Sequence, residues 1–135
     1  MTHTMQRDDL GDLIVRTTHD IWAMDWEPLR DLEGVGHKVL WQSGDVTVGL
    51  IRVEPGAEKP PHVHHHAHHH IWIVSGAAMM LGQRLTASSY LHIPPGIVHE
   101  VTEVGPEGCV FFYSHRPVEI PRQRDAIIGE IPAGF

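Results

Sequence analysis

The sequence predicts an all-β domain, closed into a barrel or jelly roll. Three observations carry that expectation. Thirteen Gly and ten Pro punctuate the 135-residue chain at short intervals. The segments between them are rich in Val, Ile, Thr, Tyr and Trp, and helical periodicity is weak throughout. Roughly eight short strands separated by turn signals favour closure over an open sheet.

Taken in order, the first expected strand is DLIVRTT (12 to 18), followed by GHKVLWQ (36 to 42). In DVTVGLIRVEPG, Val46 and Val48 alternate with Thr47 and Gly49. Ile51 and Val53 extend the apolar face until Pro55-Gly56 turns the chain. Further strands are expected at HHIWIVS (69 to 75), AAMMLG (77 to 82), SYLHIP (89 to 94), GIVHEVTE (96 to 103) and CVFFYS (109 to 114). The tail PVEIPRQRDAIIGEIPAGF (117 to 135) is interrupted by prolines, and its one apolar stretch, DAIIGEI, reads as a turn of helix or an added edge strand.

The length suits one domain, 1–135, with its core at about 36–114. Ten Lys plus Arg against seventeen Asp plus Glu leave a net charge of -7. No basic stripe could follow a phosphate backbone, so nucleic acid and anionic membranes are not expected partners. No apolar run approaches the roughly 20 residues of a membrane span, and MTHTMQRDDLGD lacks a signal-peptide pattern. Cytoplasmic location is the default expectation. Cys109, the single cysteine, reads as a small apolar core residue within GCVFFY.

Seven of the thirteen histidines fall within PHVHHHAHHH, residues 61 to 70. A purification tag would sit at a terminus. On an extended segment residues two apart share a face, so His62 and His64 point together and Val63 points away. The chain must then turn at His65-His66-Ala67 and return as a strand. If Ile71 and Ile73 face inward, His69 shares their face, and His68 and His70 point with Trp72 to the other. A second segment, HIPPGIVHEV, turns at Pro94-Pro95-Gly96 and offers His99 on the next strand. Two antiparallel strand pairs could bring His62, His64, His69 and His99 together. Imidazole suits Fe, Mn, Ni, Cu and Zn, and neutral ligands leave the cation its full charge.

These spacings resemble the cupin family. Gly56, His62-Val63-His64, His69 and Gly76 are similar to the first cupin motif, and Pro94-Pro95-Gly96-Ile97-Val98-His99 to the second. The resemblance implies a double-stranded β-helix, the cupin jelly-roll barrel. Its spacing to the closing glycine selects His69 over His68 as third ligand, in an all-histidine site where most metal cupins have Glu. Two positions depart from the pattern: Ser88 replaces the glycine that opens the second motif, and Glu103 the asparagine that ends it. Residues 24 to 54 bear a looser resemblance to cupins related to anti-sigma factors and to dihydroxyacetophenone dioxygenase.

The resemblance implies one divalent transition metal per chain, with Fe or Mn favoured and Zn, Ni or Cu also suited, and a small-molecule substrate. A dioxygenase acting on a diketone, hydroxyketone or phenol is the leading expectation. A non-redox isomerase or lyase and a non-catalytic sensory cupin are the alternatives. Tyr113, Trp72 and His92 are candidate pocket residues, and Met79 and Phe111 lie on strands that could line it. Glu100 or Glu103 could orient the His99 ring. No role is read for His19, His37 or His115. A homodimer is the expected assembly, with DLIVRTT a contributor.

Overall fold

A computed structural model of the chain describes residues 13–118. Among them are one short helix and nine strands. These are α1 (Thr18–Ala23), β1 (Glu27–Pro28), β2 (Val35–Ser43), β3 (Val46–Val53), β4 (Lys59–His62), β5 (Ala67–Met80), β6 (Gln83–Thr86), β7 (Tyr90–Ile93), β8 (His99–Val101) and β9 (Cys109–Pro117). The all-β barrel expectation is met.

The larger sheet runs β1-β2-β3-β9-β5-β6, with β7 also paired to β5. A second ladder joins β4 and β8. Every pairing is antiparallel. Val101 of β8 packs into the same core as Val35, Ile51, Val53, Ile71, Ile73, Phe111 and Tyr113, so the small ladder closes over the inner face of the large sheet. This is the two-layer arrangement in which alternating inward residues meet across one core. Cys109 is buried in it, and burial pushes its thiol up to about 11.

β5 organises the site. Burial alternates along Ala67, His69, Ile71 and Ile73 inward, with His68, His70 and Trp72 on the other face. The two strands expected at 69–75 and 77–82 are this single strand of 14 residues, and its register shifts between Ile73 and Ser75. Beyond the shift Ala78 and Met80 are the buried positions. A bulge reverses which parity faces inward. Gly76, which closes the first motif, has φ 78°, and a Cβ there would stand 1.9 Å from the Gly108 carbonyl oxygen. Only glycine fits.

The strand expected at 12 to 18 is not formed over its described part. Residues 13–17 are irregular and Thr18 begins a helix. A capping box decides it: the Thr17 hydroxyl accepts from the Asp20 amide, and the Asp20 carboxylate accepts from the Thr17 amide. α1 buries none of its own residues. It is tied to β2 by Lys38, which is 2% exposed and whose Nζ donates to the Ile21 carbonyl at 2.9 Å. The same ammonium lies 4.4 Å from the Trp26 ring centroid and 5.1 Å from that of Trp22. The apolar stretch expected at DAIIGEI lies outside the described residues.

Candidate metal centre

His62 ends β4 and His99 begins β8, and the two are directly paired across the small ladder. Each ring is oriented by the backbone two residues before it. His62 Nδ1 bonds the Pro60 carbonyl at 2.8 Å, and His99 Nδ1 bonds the Ile97 carbonyl at 3.0 Å. A carbonyl only accepts, so in both rings Nδ1 carries the proton and Nε2 keeps its lone pair. The prolines at 60 and 61 are compatible with β4 because that strand pairs on one side only.

His64 follows in the irregular segment after β4. Its position is fixed by the second motif itself, since the Gly96 amide at the Pro-Pro-Gly corner donates to the His64 carbonyl at 2.9 Å. The ligand nitrogens of His62, His64 and His99 all lie within 4.8 Å of one another. Their Nε2 atoms are buried and have no hydrogen-bond partner. Three buried, unpartnered ring nitrogens this close together are costly without a cation to share, because buried polar atoms otherwise find partners. Clustered imidazoles, two of them oriented by backbone carbonyls, are the donor set of a transition-metal site.

His69 stands beside this triad and is not part of the 4.8 Å set. Its ring is 4.8 Å from that of His64 and 5.7 Å from that of His99, and its Nδ1 is a fourth buried nitrogen without a partner. The four rings resist protonation. Burial, reinforced by the neighbouring histidines and Lys59, lowers His64 to about 4 and His69 to about 2. Burial also lowers His62 to about 4 and lowers His99, despite the opposing carbonyl bonds. Neutral imidazole is the form that binds metal.

His62, His64 and His69 line a cavity of about 410 Å³, within the usual range of roughly 300–1,000 Å³ for small-molecule pockets, and His99 lies buried behind them. Leu29, Leu32 and Ile51 form an apolar wall. Tyr113 lines it too, and burial raises its phenol above the ordinary value. Tyr113 faces Gly49 across β3 and β9, where a Cβ would stand 3.2 Å from the phenol oxygen and 2.4 Å from the Lys38 carbonyl. The bare glycine makes room for the ring.

Trp72 and His92 do not line this cavity. Trp72 is on the outward parity of β5, and His92 pairs with His70 on the outer face of the sheet. There His92 bonds His68 at 2.8 Å, and Tyr90 bonds His70 at 2.7 Å. Met79 is also absent from the lining, while Phe111 belongs to the packed core. The Ile97 carbonyl, rather than Glu100 or Glu103, holds the His99 ring. Among the lining residues that were not anticipated are three basic ones, His115, Lys59 and Arg30. His115 continues the inward parity of Cys109, Phe111 and Tyr113 along β9, and its ring is 4.9 Å from that of His64. Burial and the Arg30 guanidinium lower Lys59 to about 8, which leaves the ammonium mostly protonated at neutral pH.

Comparisons with known proteins agree with this architecture. Residues 15–119 match the family model described as the ChrR cupin-like domain. No curated protein matches the sequence. Among solved structures, the polyketide cyclase RemF from Streptomyces resistomycificus superposes with TM-score 0.66 at 16% identity, covering 89% of this chain and 95% of that one. KdgF from Halomonas sp. superposes with TM-score 0.58 at 21% identity, covering 76% and 93%. The Rhodobacter sphaeroides complex of SigE with the anti-sigma ChrR superposes with TM-score 0.57 at 20% identity, covering 80% of this chain and 53% of the other. Likeness at these identities concerns the fold.

Proposed function

The chain belongs to the family of ChrR cupin-like domains, and from that membership and the histidine triad we propose that it is a mononuclear metal-dependent dioxygenase. Its substrate is a small oxygen-rich molecule, a diketone, hydroxyketone or phenol. The carrying observation is the set of buried, unpartnered Nε2 atoms of His62, His64 and His99, two of whose residues, His62 and His64, line a cavity sized for a small molecule. His69 is the proposed fourth ligand, adjacent to the triad and itself left with an orphaned nitrogen.

A divalent Fe or Mn ion held there would supply a redox-active Lewis acid with positions left over for substrate and dioxygen. The chain's own side chains do the remaining work. Leu29, Leu32 and Ile51 keep water from the substrate's carbon skeleton. Tyr113, kept protonated by burial, donates a hydrogen bond to a substrate oxygen. His115 sits beside His64 in the lining, offering a ring nitrogen to a second substrate oxygen.

The test is metal content by elemental mass spectrometry on protein purified without a nickel column, then anaerobic Fe(II) loading and oxygen-electrode assays against small diketones and phenols. About one metal per chain is expected, with substrate-dependent O₂ uptake. His62→Ala, His64→Ala and His99→Ala should each lose most of the metal and His69→Ala part of it. His65→Ala and His66→Ala, exposed in the turn, should lose little. Equal loss from the turn variants would restore the reading of a nonspecific histidine tract. The family match favours one second reading, a small-molecule sensor without turnover. One bound metal with ligand binding but no product from any bound ligand would support it.

A further inference from the structure

Two cations line the cavity, and neither is held in an ion pair among the described residues. Arg30 lies in the loop between β1 and β2, and Lys59 opens β4. Among the described residues the one ion pair is Arg52 with Glu54, so neither Arg30 nor Lys59 is within 4.0 Å of a carboxylate. Both stand close enough to the histidines to act on them, Arg30 on His62 and Lys59 on His62, His64, His69 and His99, and Arg30 acts on Lys59. Arg30 is exposed and Lys59 half-buried, so water screens their mutual repulsion only in part, and an anion seated between them would relieve it.

The backbone adds an independent observation. Arg30 has φ 55°, a left-handed angle that is strained for a non-glycine residue. Such strain concentrates at ligand sites, where the side chain's placement offsets it. Asp31 is the single acidic residue of the lining and is exposed. It balances one of the two cations and leaves the other in excess, before any metal charge is counted.

Given the metal site proposed above, we infer that Arg30 and Lys59 select a carboxylate-bearing substrate, holding the carboxylate at the cavity wall while a carbonyl or hydroxyl oxygen of the same molecule faces the histidines. The substrate class then narrows to a diketone, hydroxyketone or phenol that also carries a carboxylate, and the 2-oxo acid pyruvate is its smallest probe. Arg30 presents the planar fork that matches a carboxylate, and Lys59 a point charge deeper in the wall.

The test is a binding measurement by ligand-observed NMR on the Zn(II)-loaded and the metal-free chain, with pyruvate and its neutral isostere pyruvamide as probes. Pyruvate should bind at least about tenfold more tightly than pyruvamide in both forms. Arg30→Gln and Lys59→Met should each weaken pyruvate about tenfold and leave pyruvamide unchanged, with zinc stoichiometry preserved. Arg30→Gly is the decisive companion: removing the left-handed strain should raise the unfolding temperature while the preference for pyruvate falls. Equal binding of the two probes, or pyruvate binding that survives both substitutions, would overturn the assignment. A wild-type chain that takes up no zinc would overturn the metal reading instead, and the metal-free comparison would still decide the role of the cation pair.

Discussion

Ser88 and Glu103 hold left-handed backbone angles, φ 72° and 47°. They are the two positions at which the sequence departs from the cupin motif, and the angles say why glycine and asparagine are usual there: both residue types tolerate this region. The chain keeps the turns and bears the strain. Glu103→Asn should therefore stabilise the protein by about 1 kcal/mol, seen as a rise of about 3–5 °C in unfolding temperature. Ser88→Gly should give less, because glycine's greater freedom in the unfolded chain offsets part of the relief. An unchanged or lower midpoint for Glu103→Asn would show that the angle is relaxed in solution. Most of the site was legible at this scale, since motif spacing alone brings out His62, His64 and His99. His115 was legible too, by extending the Phe111 and Tyr113 parity two residues further along β9. Arg30 and Lys59 were not, because nothing in the sequence says that the loop after β1 and the start of β4 meet at one cavity.

At the scale of elements, what sequence periodicity misses is what is too short or interrupted to repeat. β1, β4 and β6 have two, four and four residues, and β4 contains two prolines. β5 reads as two strands because its bulge reverses parity midway. The helix α1 is set by its cap rather than by an apolar stripe, so Leu13, Ile14 and Val15 before it suggest a strand that does not form. Lys38 is the element's anchor. Lys38→Met should leave the Ile21 carbonyl without its donor and remove the cation from both indole faces. The expected cost is about 1–3 kcal/mol, with a change in near-ultraviolet circular dichroism from Trp22 and Trp26. Metal binding should be retained, because Lys38 pairs with Leu50 while the neighbouring Ile51 faces the cavity. Loss of metal in this variant would mean that α1 and the site are coupled.

At the scale of the whole molecule, four histidines kept neutral by burial link stability to pH. Their folded values lie below the ordinary 6.5, at about 4 for His62 and His64 and about 2 for His69, with His99 also lowered. Below the unfolded value the unfolded chain binds protons that the native state cannot. Stability of the metal-free protein is thus full above about pH 6.5 and is lost as pH falls through about 4. Thermal unfolding of chelator-treated protein across that interval should show a steadily falling midpoint, and a flat profile would contradict the neutral, buried state of these rings. No helix among the described residues is long and apolar enough to cross a membrane.

The small ladder has a mechanical consequence. β4 and β8 share two paired positions, Lys59 with Val101 and His62 with His99, and the second of these is itself part of the triad. An ion gripped there would act as a rivet between chain segments that otherwise have little to hold them side by side. Pulling it out should loosen the flap before it loosens the wall: amide hydrogen exchange at 59–62 and 99–101 should accelerate on chelation, while exchange along β3 and β9 stays slow. Uniform acceleration would show that the barrel opens as one unit. With a local opening, filling the site and shutting the barrel become a single equilibrium, and the supply of metal is written directly into the molecule's shape.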